Sequence, residues 1–166
     1  PATIRLGGEG HRVIVESCPE LGKQWQELKT ISDGNFQANT KQADTKDDTK
    51  SIAYLVTPGV FERPHKYNPE QRVNLCRPYP WEWKLKDGIF VSMSTDKAVP
   101  ISCRIREKDE KSIPAPQVFA APPGSLYYLE KPQGLFQDNK TLEKNRVNNW
   151  RQLGYSEMLW IKYQGN

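Results

Sequence analysis

The spacing of proline between residues 58 and 123 is the feature that most constrains the fold. Nine further prolines follow Pro58-Gly59 before the segment ends. Each proline removes a backbone hydrogen-bond donor and biases the residue before it toward extended geometry. Long helices are therefore excluded here, and the chain between the prolines is predicted to form short strands. These strands are predicted at 81–85, 89–93, 99–105, 118–120 and 125–130.

The remainder of the chain supplies one or two helices and further strands. A β-branched run, Arg12-Val13-Ile14-Val15-Glu16, predicts a strand after a glycine turn. The stretch 32–50 is dominated by Asp, Asn, Gln, Thr and Lys, so it predicts a flexible polar connector with little surface to bury. Helices are predicted at 19–28 and 141–152, and strands at 51–57 and 158–163. This pattern indicates an α+β fold with an antiparallel sheet and long proline-rich loops.

Composition excludes several classes of protein. No run approaches the ~20 apolar residues of a membrane helix, so a membrane-spanning protein is excluded. Aromatic residues make up 10% of the chain, which indicates a folded core. The three cysteines are widely spaced, which favours reduced thiols in the cytoplasm over disulfides or a zinc site. Because no common nucleophile or metal-ligand motif is present, the sequence predicts no metal, no cofactor and no enzyme.

Positive charge is concentrated in the middle of the chain. The formal net charge is +4, and nine Lys or Arg against four acidic residues give +5 between Arg63 and Arg106. Such asymmetry favours a surface that meets an anion such as nucleic acid. An ordinary solvated surface is the equally simple alternative.

Five short blocks, taken in order, resemble one family. They are Leu6–Arg12 (LGGEGHR), Tyr54–Phe61 (YLVTPGVF), Asp96–Pro100 (DKAVP), Ala121–Tyr128 (APPGSLYY) and Leu153–Glu157 (LGYSE). Together they are similar to the later half of a RAMP-superfamily subunit of type III-B CRISPR (Cmr) effector complexes. No block is specific by itself, and the resemblance depends on their order and spread.

The resemblance implies a fold and a domain organisation. It implies ferredoxin-like, RRM-related antiparallel sheets decorated with insertions, and an amino-terminal ferredoxin-like part that precedes the glycine block. Residues 1–31 would then end a preceding ferredoxin-like unit, 32–50 would be the connector, and 51–166 would form a carboxyl-terminal RAMP domain.

The resemblance also implies a function and partners. The chain would be a non-catalytic assembly subunit that binds the 5′ tag of the guide RNA (crRNA) in antiviral defence. It would contact the large polymerase-like subunit and the backbone RAMP subunits. The alternative is a metal-independent endoribonuclease of the same superfamily that processes guide precursor RNA, for which His11 is the candidate acid or base.

The candidate RNA-binding residues fall into three groups. Glycine amides can approach phosphates closely, and basic or aromatic side chains contact phosphates or stack on unpaired bases. A purely structural glycine hairpin, exposed loop charge, and pairing of the later arginines with acidic neighbours are the alternatives. The first group is Gly7, Gly8, Gly10, His11 and Arg12, the second is Arg63, His65, Lys66 and Tyr67, and the third is Lys97 and Arg104.

Overall fold

The computed structural model shows a mixed α/β chain in which every strand pairing is antiparallel within the described residues. It describes residues 2–6, 11–41, 49–64, 74–83, 89–101, 104–106, 112–114, 117–135, 138 and 147–164. The helices are α1 (Pro19–Lys41) and α2 (Val147–Gln152). The strands are β1 (Ala2–Leu6), β2 (His11–Val15), β3 (Thr49–Leu55), β4 (Phe61–Pro64), β5 (Asn74–Arg77), β6 (Phe90–Ser94), β7 (Val99–Ile101), β8 (Arg104–Arg106), β9 (Ser112–Pro114), β10 (Val118–Ala120), β11 (Leu126–Leu129) and β12 (Met158–Gln164). The α+β class predicted from the sequence is confirmed, and its ferredoxin-like arrangement stays a prediction.

The chain divides into two units, Pro1–Ile31 and Ser32–Asn166. In the first unit β1 and β2 form an antiparallel hairpin in which Ala2 lies opposite Val15 and Leu6 opposite His11. The first turns of α1 also belong to this unit. Pro19 is the first residue of α1, a position where its missing N–H carries no penalty.

The second unit is built on a four-stranded sheet with the order β12-β3-β11-β6. Side chains alternate along β3, where Ser51, Ala53 and Leu55 are buried and their neighbours are more exposed. The same alternation buries Tyr127 and Leu129 on β11. This period of two places one face of the sheet against the core.

An aromatic cluster fills that core. Trp83 is 1% exposed, and its ring centroid lies 5.4 Å from that of Tyr127, 6.0 Å from Phe90 and 6.1 Å from Trp160. The Trp83 indole N–H donates to Gln133 O at 3.1 Å, and the Tyr127 hydroxyl donates to Pro78 O at 2.7 Å. Burial raises the pKa of Tyr127 far above its usual value. The polar ends of Trp83 and Tyr127 therefore each have a backbone partner.

The polar stretch predicted as a flexible connector is helical for most of its described length, so the prediction is wrong for residues 32–41. α1 continues to Lys41, and β3 begins at Thr49, while 42–48 lie outside the described residues. Within the second unit Ser32 Oγ accepts the Trp160 N–H at 2.8 Å, and Asn35 Nδ2 donates to Trp160 O at 3.0 Å. The Phe36 ring also packs on that of Trp160, with centroids 5.2 Å apart. Tertiary contacts to the edge of β12 thus stabilise a helix that composition alone disfavours.

The proline-rich segment contains no helix in its described part, and its strands are short. The predicted strands at 89–93, 118–120 and 125–130 correspond to β6, β10 and β11. The predicted strand at 81–85 is wrong in its described part, because residues 80–83 form a turn closed by the Trp83 N–H on Pro80 O at 3.2 Å. No described helix is long and apolar enough to cross a membrane.

Candidate nucleic-acid interface

The β4–β5 hairpin has two chemically different faces. Phe61 lies opposite Arg77 and Arg63 opposite Leu75, so these four side chains share one face. Arg63 and Leu75 are exposed at the far end of this face, while Phe61 is buried in the core. The face therefore runs from the core to a cationic surface.

Trp81 completes the cationic face. Its indole N–H donates to Phe61 O at 2.9 Å, which fixes the ring against the hairpin. The Arg77 guanidinium carbon lies 3.7 Å from the centroid of the Trp81 ring, and that of Arg63 lies 5.5 Å from the same ring. Arg77 is also 5.5 Å from the Tyr79 ring centroid. We call Arg63, Arg77, Tyr79 and Trp81 the arginine–tryptophan surface.

Among the described residues, no carboxylate pairs with the two arginines of this surface. Within the described part of the chain, neither Arg63 nor Arg77 forms an ion pair. Stacking on an indole holds a guanidinium flat and leaves its N–H donors directed outward. Two such groups around one ring can bind a phosphate in bidentate fashion, and the exposed aromatic edges can contact an unpaired base.

The opposite face of the hairpin is structural. Glu62 is buried, and its Oε1 accepts the Trp150 indole N–H at 2.7 Å. Cys76 lies opposite Glu62, and its Sγ accepts the Phe119 N–H at 3.4 Å. Burial is the main cause that raises the pKa of the Cys76 thiol; the Phe119 N–H opposes this shift, and the Glu62 charge adds to it by a smaller amount. A raised pKa keeps the thiol protonated at neutral pH.

The predicted site residues are only partly brought together. Gly7, Gly8, Gly10, His65, Lys66 and Tyr67 lie outside the described residues, as do the side chains of His11 and Arg104. Arg12 is exposed on β2 in the first unit, and Lys97 is exposed between β6 and β7 in the second. Of the predicted residues, Arg63 alone has its side chain placed on the arginine–tryptophan surface.

Sequence reasoning missed three members of that surface, Arg77, Tyr79 and Trp81. Arg77 contributes only to the sum of charges in the middle of the chain, Tyr79 carries no prediction, and Trp81 is predicted to lie on a strand. The segment Arg77-Pro78-Tyr79-Pro80-Trp81 carries a signal that could have found them. Its two prolines restrict the backbone, so the rings of Tyr79 and Trp81 are held at a nearly constant distance from Arg77.

Four of the five sequence blocks meet in one buried junction of the second unit. Gly59 and Ala121 exchange two backbone hydrogen bonds of 2.9 Å. Ser156, buried with a φ of 61°, donates its N–H to Pro58 O at 2.9 Å and accepts the Val60 N–H on its Oγ at 3.1 Å. The block that begins at Asp96 joins through β7, whose Val99 pairs with Ala120. The junction is therefore architectural, because the hydrogen-bonding groups of Gly59, Ala121 and Ser156 named here are satisfied inside the protein.

Gly59→Ala is expected to lower the free energy of unfolding by about 1–2 kcal/mol through overpacking. An added Cβ would lie 2.7 Å from two ring atoms of Phe61 and 3.0 Å from Leu55 Cδ2, and both side chains are buried. Gly34→Ala in α1 is the matched control, since its Cβ would meet nothing within 4 Å and alanine favours helix. Urea denaturation should show opposite signs for the two variants, and equal midpoints would contradict the prediction.

Comparison with known families decides the identity of the chain. The model of a family described as CRISPR-associated protein (Cas_Cmr3) matches residues 1–163. The chain belongs to this family. Searches of curated proteins and of solved structures return no match.

Membership of the Cas_Cmr3 family makes the chain a component of a type III-B CRISPR effector complex, a multi-subunit assembly of antiviral defence. The resemblance to a type III-B subunit is confirmed at this level. In this Cas_Cmr3 chain, the glycine and proline blocks of the junction supply a frame, and the arginine–tryptophan surface supplies two guanidinium groups that form no ion pair with the described residues.

Proposed function

We propose that this chain is a non-catalytic RNA-binding and assembly subunit of the type III-B complex, with ferredoxin-like domains of the RAMP superfamily. It holds the 5′ tag of the guide RNA next to the large polymerase-like subunit and the backbone RAMP subunits. The observation that carries this proposal is the stacking of Arg63 and Arg77 on one indole.

Three features of the arginine–tryptophan surface support single-stranded RNA as its ligand. Both guanidinium groups lack a carboxylate partner among the described residues, so a phosphate would supply the missing negative charge. Trp81 and Tyr79 are each half-exposed, so their rings can contact an unpaired base. The hairpin that carries the arginines is anchored through Phe61 and Glu62, so the surface is held rigidly before RNA arrives.

The double variant Arg63→Ala/Arg77→Ala is expected to weaken binding of guide-tag RNA by about 10- to 100-fold, because two charged hydrogen-bonding groups are lost. The slope of the logarithm of the binding constant against the logarithm of salt concentration should also become less steep by about 1.4, at roughly 0.7 per phosphate contact on a single strand. The wild-type slope should be near −3 if about four phosphates are contacted. Filter binding with labelled tag RNA over a salt series measures both quantities.

Two control variants test whether RNA binding depends on this surface rather than on the overall positive charge of the chain. Lys131→Ala/Lys162→Ala removes two exposed cations elsewhere in the second unit and should leave affinity nearly unchanged. Arg63→Lys/Arg77→Lys keeps the charge but loses the planar stacking group, so binding should fall to an intermediate level. The proposal is wrong if the wild-type chain binds no RNA, or if the two double alanine variants behave alike.

The endoribonuclease alternative is tested in the same samples. Each RNA recovered after the titration should be intact, because the proposed role is non-catalytic. Cleavage by the wild-type chain that disappears in His11→Ala would replace the present proposal with guide-precursor processing.

A further inference from the structure

A small polar cavity lies where the loop between β6 and β7 meets the turn before β11. It has a volume of about 270 Å³ and is lined by residues 94–96 of the loop and 122–125 of the turn. Pockets for drug-sized ligands are typically about 300–1,000 Å³, so this cavity suits a single sugar or base. It is distinct from the arginine–tryptophan surface and shares no residue with it.

The Thr95 hydroxyl donates its hydrogen within the turn, which leaves its oxygen able to accept a bond from a ligand. The buried Ser125 Oγ donates to Pro122 O at 2.7 Å and lies 2.8 Å from Thr95 Oγ1. Because the serine hydrogen is directed to Pro122, Thr95 is the donor in the second bond. Its remaining contact, to Asp96 O at 3.5 Å, is too long to be strong. The lone pairs of Thr95 Oγ1 therefore remain available.

Asp96 adds a charged acceptor on the same side of the cavity. Its Oδ1 accepts the Lys97 N–H at 2.7 Å, which fixes the carboxylate at the start of the loop. Asp96 is exposed and, among the described residues, forms no ion pair. A carboxylate repels phosphate, so the group that enters next to it should be a neutral hydrogen-bond donor.

The chemistry of the cavity matches a ribose better than a phosphate. Its walls include the rings of Pro122 and Pro123, which give an apolar surface for sugar carbons. A 2′-hydroxyl can donate to Asp96, and the exposed ammonium group of the next residue, Lys97, can reach an adjoining phosphate. DNA carries only hydrogen at this position of the sugar and cannot make this bond, so a site of this chemistry favours RNA.

We propose that this cavity binds the ribose of one RNA nucleotide, with the 2′-hydroxyl donating to the Asp96 carboxylate. The inference rests on the proposed RNA-binding function and adds to it the means by which RNA is selected over DNA.

The test compares one single-stranded sequence in three sugar chemistries by fluorescence anisotropy, using the full 166-residue chain. The ribo strand should bind about tenfold more tightly than the 2′-deoxy strand, the effect of one hydrogen bond to a charged acceptor. The 2′-fluoro strand keeps an RNA-like sugar conformation but cannot donate, so it should bind as weakly as the deoxy strand. Asp96→Ala should reduce ribo binding to the deoxy level and leave deoxy binding unchanged.

Two further variants make the result specific to the carboxylate. Asp96→Asn can retain the bond from the Lys97 N–H, so the loop is preserved, and it should lose most of the preference for ribo strands. Lys97→Ala should weaken all three strands by the same factor, because it removes only a phosphate contact.

The outcomes distinguish this inference from the proposed function. Equal binding of ribo and 2′-fluoro strands by the wild-type chain, or full ribo preference in either Asp96 variant, overturns the inference and leaves RNA binding by the arginine–tryptophan surface intact. Failure of the wild-type chain to bind any of the three strands overturns the proposed function, and this inference with it.

Discussion

Trp83→Ala is expected to lower the free energy of unfolding by about 3–5 kcal/mol. The indole is almost fully buried, packs against the rings of Phe90, Tyr127 and Trp160, and donates to Gln133 O. Truncation removes both the packing and the donor, and leaves a cavity at the centre of the aromatic cluster. Because typical domains are stable by about 5–15 kcal/mol, this loss is a large part of the total. Urea denaturation followed by circular dichroism measures it.

Two other substitutions calibrate the Trp83 result. Trp83→Phe keeps an aromatic ring and loses the bond to Gln133 O, so its destabilisation should be clearly smaller. Leu153→Ala truncates a side chain that is 69% exposed and should change stability by less than about 0.5 kcal/mol. If Trp83→Ala were as mild as Leu153→Ala, the aromatic cluster would not be the core of the second unit.

Trp150→Phe is expected to lower the free energy of unfolding by about 1.5–3 kcal/mol, the range for a hydrogen bond to a charged group. The Trp150 indole N–H donates to the buried Glu62 carboxylate at 2.7 Å. Glu62 also has a further interaction, so the residue is not left without a partner in the variant. The substitution preserves most of the ring that packs on Tyr155, and the effect therefore reports mainly on the lost donor.

Trp25→Phe is the matched control for Trp150→Phe. Trp25 is half-exposed on α1, and within the described residues its indole N–H makes no hydrogen bond. The same chemical change there should alter stability by less than about 0.5 kcal/mol. Chemical denaturation of both variants compares them, and similar values would contradict the assigned role of the Glu62–Trp150 bond.

The sequence predicts those elements whose signal is local. Prolines flank β10 and β11, and Pro58-Gly59 ends the predicted strand that corresponds to β3. The later half of α1 was missed because its support is not local. The support comes from Trp160, which lies more than 120 positions later in the chain and contacts Ser32, Asn35 and Phe36. No local pattern around these three residues indicates that contact.

The candidate site was predictable in chemistry but not in geometry. The basic middle of the chain includes Arg63 and Arg77. Their convergence on Trp81 depends on the pairing of β4 with β5, two strands of four residues that carry no clear alternation. Register of this kind is set by tertiary contacts, so it cannot be read from the residues alone.

The order of strands in the central sheet has a consequence for biosynthesis. β3 pairs with β11 and β12, and the second of these begins about 100 residues later in the chain. At roughly 5–20 residues per second, a ribosome needs about 5–20 s to deliver that partner after β3 has emerged. During this interval β3 has an unpaired edge, and pairing over such a distance is slow to establish. Newly made chains can therefore aggregate until translation reaches β12. Expression at a lower growth temperature, or together with a chaperone, should raise the yield of soluble protein.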